Sequence, residues 1–415
     1  MDHQSHEAGL VVVGASLAGL RAVEAARRHG YGGPITLIGA EPHLPYDRPP
    51  LSKEFLTGAP QGTFFRTREE ISGDLEVRLL LGTPATRLDP ATRTVHLAND
   101  AIRYNRLIIA TGARPRTLPQ IPEFATRPVV ELRTLDDAVR LNKRLADARH
   151  VVVLGGGFIG SEVASSARLR GSDVTIVDTA PVPLVRAVGS VVGQALTNLH
   201  HRNGTEVIVA TKVTSIELDG ETARVSLSND RVLNADLVVV GVGAAPETVW
   251  LERSGLVRDD RDHAIVCDEF LETSVHGVYA AGDVASWYNV QYGITMRSEN
   301  WTNAAEQGAR AAENALFPDL REPFLSVPYY WSDWYGNRIQ FAGIPMGTVE
   351  FVSGSPASDR FAALFHDGGH VVGAATLNER RLIMKFRRVI EQRGTRADAL
   401  TYLPTKDKQS SVAPC

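Results

Sequence analysis

The sequence predicts an α/β protein with two nucleotide-binding βαβ domains and a separate α+β C-terminal domain. Three observations carry that expectation. An apolar run leads into a glycine-rich turn at residues 14–19, and the same arrangement returns at residues 155–160. From about Val327 the texture changes: Trp331, Trp334 and Tyr335 cluster, short β-like runs follow, and a helix is expected over about residues 379–392.

The elements follow in order. Leu10-Val11-Val12-Val13 is continuously apolar, as a parallel strand buried on both faces should be. Leu17, Leu20, Val23 and Ala26 then recur at helical spacing. Ile35-Thr36-Leu37-Ile38 reads as the next strand, with Glu41 just beyond its end. The turn itself is GASLAG, with Gly14 and Gly19 in place and Ser16 where G-x-G-x-x-G has its second glycine. A strand through Leu107-Ile108-Ile109 runs into Ala110-Thr111-Gly112-Ala113. The second unit opens with Val151-Val152-Val153-Leu154 and GGGFIG, which has all three glycines: Gly155, Gly157 and Gly160. A helix from Ser161 to Leu169, the strand Val174-Thr175-Ile176-Val177 and Asp178 complete it. Leu237 to Val240 form a further strand, running into Gly241-Val242-Gly243.

An isolated glycine-rich turn is a weak signal. Here each follows a strand, opens a helix and has an acid after the next strand, which is the confirming context. Glycines let the backbone approach a pyrophosphate, and helix N-terminal N–H groups bind it. The strand-end carboxylate accepts from ribose hydroxyls. Two complete units imply two dinucleotides. Asp178 favours the diol of NADH and repels the 2′-phosphate of NADPH, and Thr179-Ala180 supplies no adjacent arginine. Arg186, eight residues on, remains a candidate for a phosphate.

Composition narrows the alternatives. A chain of 415 residues is too long for one ordinary core. Its 44 Lys and Arg against 48 Asp and Glu give no reason to expect nucleic-acid binding. Two cysteines, Cys267 and Cys415, exclude a disulfide scaffold or Cys-based metal cluster and suit a reducing compartment. No metal site is expected. The start MDHQSHEAG lacks the pattern of a signal peptide, and no apolar run has the length of a membrane span. A cytoplasmic protein without a membrane attachment is expected.

Five elements occur in one order: GASLAG, Pro45-Tyr46-Asp47-Arg48-Pro49-Pro50-Leu51-Ser52-Lys53, Ala110-Thr111-Gly112, GGGFIG with Glu162, and Ala280-Ala281-Gly282-Asp283. Together they resemble the FAD-dependent, NADH-linked ferredoxin reductases of the putidaredoxin reductase and biphenyl dioxygenase ferredoxin reductase family. The resemblance covers nearly the whole chain and implies the glutathione-reductase-like arrangement. FAD would occupy a discontinuous domain of residues 1–113 and 247–326, NADH residues 114–246, and residues 327–415 would form the C-terminal domain. FAD-binding positions implied by the family are Gly14, Ser16, Leu17, Ala18, Gly19, Glu41, Arg48, Lys53, Ala85, Ala110, Thr111, Gly112, Arg133, Gly282, Asp283, Glu299, Trp301 and Trp331. NADH-binding positions are Gly155, Gly157, Phe158, Ile159, Gly160, Glu162, Asp178, Arg186, Gly241 and Gly243.

The resemblance also assigns roles, each with a plainer alternative. Lys53 lies beside the flavin and pairs with Glu162, favouring negative charge on the reduced ring; otherwise the two are solvated surface charges. Asp283 bonds the ribityl chain or, alternatively, caps a helix before Val284. Trp331 lies near the isoalloxazine or is only a large core residue. There are departures as well. Ser16 replaces a glycine, and Ala40 stands where many relatives have an acid, so Glu41 is the expected ribose ligand. Residues 244–247 read Ala-Ala-Pro-Glu where relatives often have Pro-Asn.

The implied reaction passes a hydride from NADH to FAD and then single electrons to a [2Fe–2S] ferredoxin feeding a cytochrome P450 or Rieske oxygenase. Disulfide reductases and NADH oxidases of similar architecture need a cysteine near the flavin, and none lies between Glu41 and Leu56. Cys267 reads as a small buried hydrophobe in a strand. The segment from Arg380 to Ile390 interleaves Leu382, Phe386, Val389 and Ile390 with clustered basic residues, either a ferredoxin-docking face or a merely solvated one. The alternatives in function are direct action on a small acceptor, or a redox-controlled interaction protein resembling apoptosis-inducing factor. Monomer and homodimer both remain open.

Overall fold

The computed structural model describes residues 8–58, 62–118 and 128–404. These form two compact units: Met1–Asp47 with Thr63–Arg114 and Ala244–Ser326, and Arg48–Gly62 with Pro115–Gly243 and Val327–Cys415.

In the first unit a parallel sheet runs in the order Val77–Leu80, Ile35–Ile38, Gly9–Val13, Ala101–Ile109, with Val278–Ala280 beside the last. Gly9–Val13 is buried at every position, which is why its sequence does not alternate. Ala101–Ile109 changes character along its length. Ala101 to Asn105 alternate between exposed and buried, and this half pairs antiparallel with Thr94–Leu97. Leu107, Ile108 and Ile109 are wholly buried between two parallel neighbours. The strand expected at Leu107-Ile108-Ile109 before the glycine turn therefore begins earlier, at Ala101, and a separate short strand, Ala113–Pro115, follows the turn. The helix Leu17–Arg28 buries Leu17, Leu20 and Val23 and packs on Trp301–Leu316. Burial of each such Leu or Val contributes roughly 1.5–3 kcal/mol.

The second unit holds a five-stranded parallel sheet in the order Glu206–Ile208, Asp173–Val177, His150–Leu154, Leu237–Val240, Val129–Glu131. Phe158–Leu169 follows the second glycine turn, starting earlier than the periodicity alone indicated because Gly157 occupies its N-cap. Val213–Asp219, Thr222–Leu227 and Val232–Ala235 make a small antiparallel sheet. The C-terminal residues form five antiparallel strands in the order Tyr329–Trp334, Asn337–Gly343, His370–Leu377, Phe361–Asp367, Thr348–Ser353. The helix Arg380–Glu391 lies on this sheet through Leu382, Ile383, Phe386, Val389 and Ile390.

Candidate functional site

The two glycine turns have the same backbone construction. Gly14 has φ +120°, and a Cβ there would lie 2.1 Å from the Ala110 carbonyl oxygen. Gly155 has φ +99°, and a Cβ would lie 2.3 Å from the Gly241 oxygen. Each first glycine thus lets the strand end pass against the neighbouring strand's exit turn, where any side chain would collide. The last glycines, Gly19 and Gly160, lie so near the carbonyls of Gly14 and Gly155 that a Cβ would sit at 1.9 and 2.1 Å. Between them, Ser16 and Gly157 occupy the N-cap positions of the helices Leu17–Arg28 and Phe158–Leu169. The first-turn N–H groups of both helices are presented as an anion site requires. These cradles fit the pyrophosphates of two dinucleotides.

The acids beside them are held differently. Asp178 accepts from the Gly156 N–H at 2.7 Å through Oδ2 and from the Ala180 N–H at 2.8 Å through Oδ1. Its carboxylate is fixed against the turn itself. Glu41 is half-buried and accepts from the Tyr46 hydroxyl at 2.6 Å, whereas Ala40 is exposed.

A buried ion pair occupies the second unit. Lys53 and Glu162 are 12% and 5% exposed, with Nζ 2.9 Å from Oε2. The alternative of two solvated surface charges does not hold. Lys53 also donates to the Pro49 carbonyl at 2.9 Å, so two of its three N–H donors are committed among the described residues. Ser52 donates to Glu162 Oε2 and Ser332 to Oε1. A buried pair is tolerated only when its remaining donors and acceptors are satisfied.

Several other candidates have defined places. Arg48 donates to the Arg133 carbonyl at 2.6 Å, which ties the residue-48 segment to the loop before Leu135–Leu145. Trp301 begins its helix and its indole N–H donates to Asp47 at 2.8 Å. Glu299 pairs with Arg297, whose guanidinium also bonds Asp262 at 2.6 Å. Thr111 donates to the Glu247 carbonyl at 2.8 Å, and Ala85 begins the strand Ala85–Asp89. Gly241 donates to Leu154 at 2.7 Å, and the Gly243 carbonyl accepts from Arg116 at 2.9 Å. Phe158 packs edge-on against Tyr330 with ring centroids 4.9 Å apart, while Ile159 and Arg186 are exposed. Asp283 is not a helix N-cap: Gly282–Val284 is a single 3-10 turn whose cap position is Ala281. Trp331 is half-buried, and the fully buried core tryptophan of its strand is Trp334.

Ser52 and Ser332 bond Glu162 directly, with Trp334 and then His200 behind Ser332; none of the four is marked as a site residue by the sequence motifs. The Trp334 indole donates to Ser332 Oγ at 2.7 Å and stacks on the His200 ring at 4.7 Å. Burial pushes His200 down to about 3. Period-2 alternation in Tyr329–Trp334 puts Ser332 and Trp334 together on the face opposite Trp331, but alternation does not show that this face meets Glu162.

Cys267 lies in the strand Ile265–Cys267, and burial pushes its thiol well up. Cys415 falls outside the described residues. On Arg380–Glu391 the apolar stripe is consumed by packing, while Arg380, Arg381, Lys385 and Arg388 are exposed. Among the described residues no helix is long and apolar enough to cross a membrane, and no group of three His, Cys, Asp or Glu is placed to hold a metal.

Comparison with known proteins agrees with the resemblance carried by the motifs. Residues 8–308 match the pyridine nucleotide-disulphide oxidoreductase family and residues 329–407 the reductase C-terminal family. The chain is similar to rhodocoxin reductase of Rhodococcus erythropolis, 35% identical over 92% of this chain and 89% of that one. It is likewise 36% identical to the ferredoxin–NAD(+) reductase component of the anthranilate 1,2-dioxygenase system of Burkholderia cepacia, covering 92% and 93%. Its fold matches the reductase chain of the covalent putidaredoxin reductase–putidaredoxin complex with a TM-score of 0.87 at 31% identity, covering 94% of each.

Proposed function

The chain belongs to the pyridine nucleotide-disulphide oxidoreductase family, and on that premise we propose that it is an FAD-dependent NADH:ferredoxin reductase. The acceptor is a [2Fe–2S] ferredoxin that feeds a cytochrome P450 or Rieske oxygenase, and the enzyme acts in the cytoplasm as a monomer or homodimer. FAD belongs to the fold of residues 1–113 and 247–326, NADH to residues 114–246.

The buried Lys53–Glu162 pair carries this reading. It occupies the segment where a sulfur relay would need its cysteine, and the described cysteine, Cys267, is too buried to work as a thiolate. FAD when bound supplies hydride acceptance and release of electrons one at a time. The protein's own residues then bind and orient. Gly14, Ser16 and Gly19 cradle one pyrophosphate, with Glu41 for its ribose; Gly155, Gly157 and Gly160 cradle the other, with Asp178 selecting a free 2′-hydroxyl. Lys53 offers its remaining N–H to the acceptor ring, and Glu162 holds that ammonium in place. The exposed basic residues of Arg380–Glu391 suit an acidic carrier through electrostatic steering.

Stopped-flow mixing with NADH, followed by a panel of [2Fe–2S] ferredoxins, tests the proposal. Rapid flavin bleaching and catalytic reduction of at least one ferredoxin is the expected result. Ferredoxins that all stay oxidised while the flavin is reduced would reject it; turnover of a small oxidant without a protein carrier would replace it.

A further inference from the structure

We infer that Ser332 is a positioning residue for the Lys53–Glu162 pair, its hydroxyl orientation being set from behind by Trp334. The inference rests on the functional reading above for its kinetic consequence, and on the following geometry for its assignment.

Ser332 is fully buried, so no bulk water competes for its hydroxyl. An indole N–H is a donor only. At 2.7 Å from Ser332 Oγ, Trp334 Nε1 therefore makes that oxygen an acceptor and leaves its single proton for the other neighbour. That neighbour is Glu162 Oε1. An ionised carboxylate accepts only, so the sequence of donors is fixed: Trp334 to Ser332 to Glu162.

The two carboxylate oxygens are not equivalent. Oε2 receives both Lys53 and Ser52, while Oε1 is held by Ser332. Ser52 is itself anchored, its carbonyl accepting from Ser166 Oγ at 2.8 Å. Deleting the Ser332 hydroxyl strands two buried groups, Oε1 and the Trp334 indole N–H. The carboxylate is then free to rotate toward another donor, and the Lys53 ammonium loses its fixed direction. Sequence alternation makes this possible: Trp331, between neighbours on the other face of the strand, is not part of the relay.

The experiment uses the FAD-loaded full chain with S332A, S332T and W334F. S332A is expected to lower the limiting rate constant for flavin reduction at saturating NADH by about tenfold, the worth of a hydrogen bond to a charged group. The half-saturating NADH concentration should change less than about twofold, since uniform binding is untouched. S332T keeps the hydroxyl and should restore most of the rate, and W334F should fall between. A second readout needs no turnover: the Trp334 indole N–H resonance, assigned by its loss in W334F, should shift in S332A and return in S332T. Wild-type rates in S332A, no rescue by S332T, or an indole resonance indifferent to S332A would each overturn the assignment. Ferredoxin is absent from these measurements, so an enzyme that NADH reduces normally but no ferredoxin oxidises defeats the functional reading and leaves this one standing.

Discussion

GASLAG and GGGFIG are two copies of one backbone device fastened by different means. Both first glycines turn away from a strand with positive φ, and both last glycines press on the first one's carbonyl. In the second turn the strand-end acid is part of the device, since Asp178 is bonded to Gly156 inside the turn. In the first, the acid stands three residues beyond the strand instead of directly after it, and it accepts from Tyr46, outside the turn. The middle position differs too: Gly157 caps its helix with bare backbone, whereas Ser16 carries a hydroxyl but makes no side-chain cap to its helix. The comparison teaches that the glycines fix the backbone of both turns alike, while the acid is built into only one of them.

The largest effects should come from the shared glycines. Gly14→Ala places a methyl 2.1 Å from a carbonyl oxygen at a φ of +120°, and Gly155→Ala repeats the insult at 2.3 Å and +99°. The first variant should purify without flavin absorbance. The second should stay yellow yet be bleached by NADH at least about a hundredfold more slowly, since strain of a few kcal/mol is added at each site. Loss of flavin from both variants would show that the turns do not serve separate cofactors.

Next comes the acid. Asp178→Ala removes the acceptor for two backbone N–H groups. The half-saturating NADH concentration should rise about tenfold and the preference over NADPH should shrink, as expected when charge-assisted hydrogen bonds are lost. A wild-type ratio near one between NADH and NADPH would remove the role given to Asp178.

A third effect separates a cofactor residue from a supporting one. His200 is buried neutral, its folded value held near about 3 against an ordinary 6.5, because burial penalises the imidazolium. The unfolded chain therefore binds a proton that the folded chain refuses, and stability present above pH 6.5 is lost as pH falls. Between pH 6.5 and 5 the loss is about 2 kcal/mol. His200→Phe should flatten the fall in melting temperature over that interval, despite losing the bond to Tyr335. An unchanged pH slope would mean that other groups dominate the acid limb.

The smallest effect sharpens the comparison most. Ser16→Gly makes the first turn match the second. With no side-chain cap to lose, FAD affinity should change less than about threefold. A tenfold weakening would place the Ser16 hydroxyl on a phosphate.

Much of the fold was legible because local rules sufficed. Continuous apolar runs marked Gly9–Val13 and His150–Leu154, and helical spacing marked Arg380–Glu391. The long strand Ala101–Ile109 was read only at its buried end, because its first half belongs to an antiparallel edge whose partner lies earlier in the chain. Lys53 and Glu162 were reached through motif resemblance, not through any pattern of charge. Ser332 was invisible by either route: a serine between two tryptophans signals nothing until its strand is placed against Glu162.

The sequence by itself determined both nucleotide cradles, because a glycine turn between an apolar strand and a helix is a local consequence of φ, sterics and helix-end N–H groups. It also determined the absence of a cysteine from the residue 41–56 segment. Tertiary structure alone decided what stands behind the chemistry. Residues 52, 162, 200, 332 and 334 meet through long-range packing. Hydrogen-bond direction within that cluster depends on which donors burial leaves without water, and no local spacing encodes it.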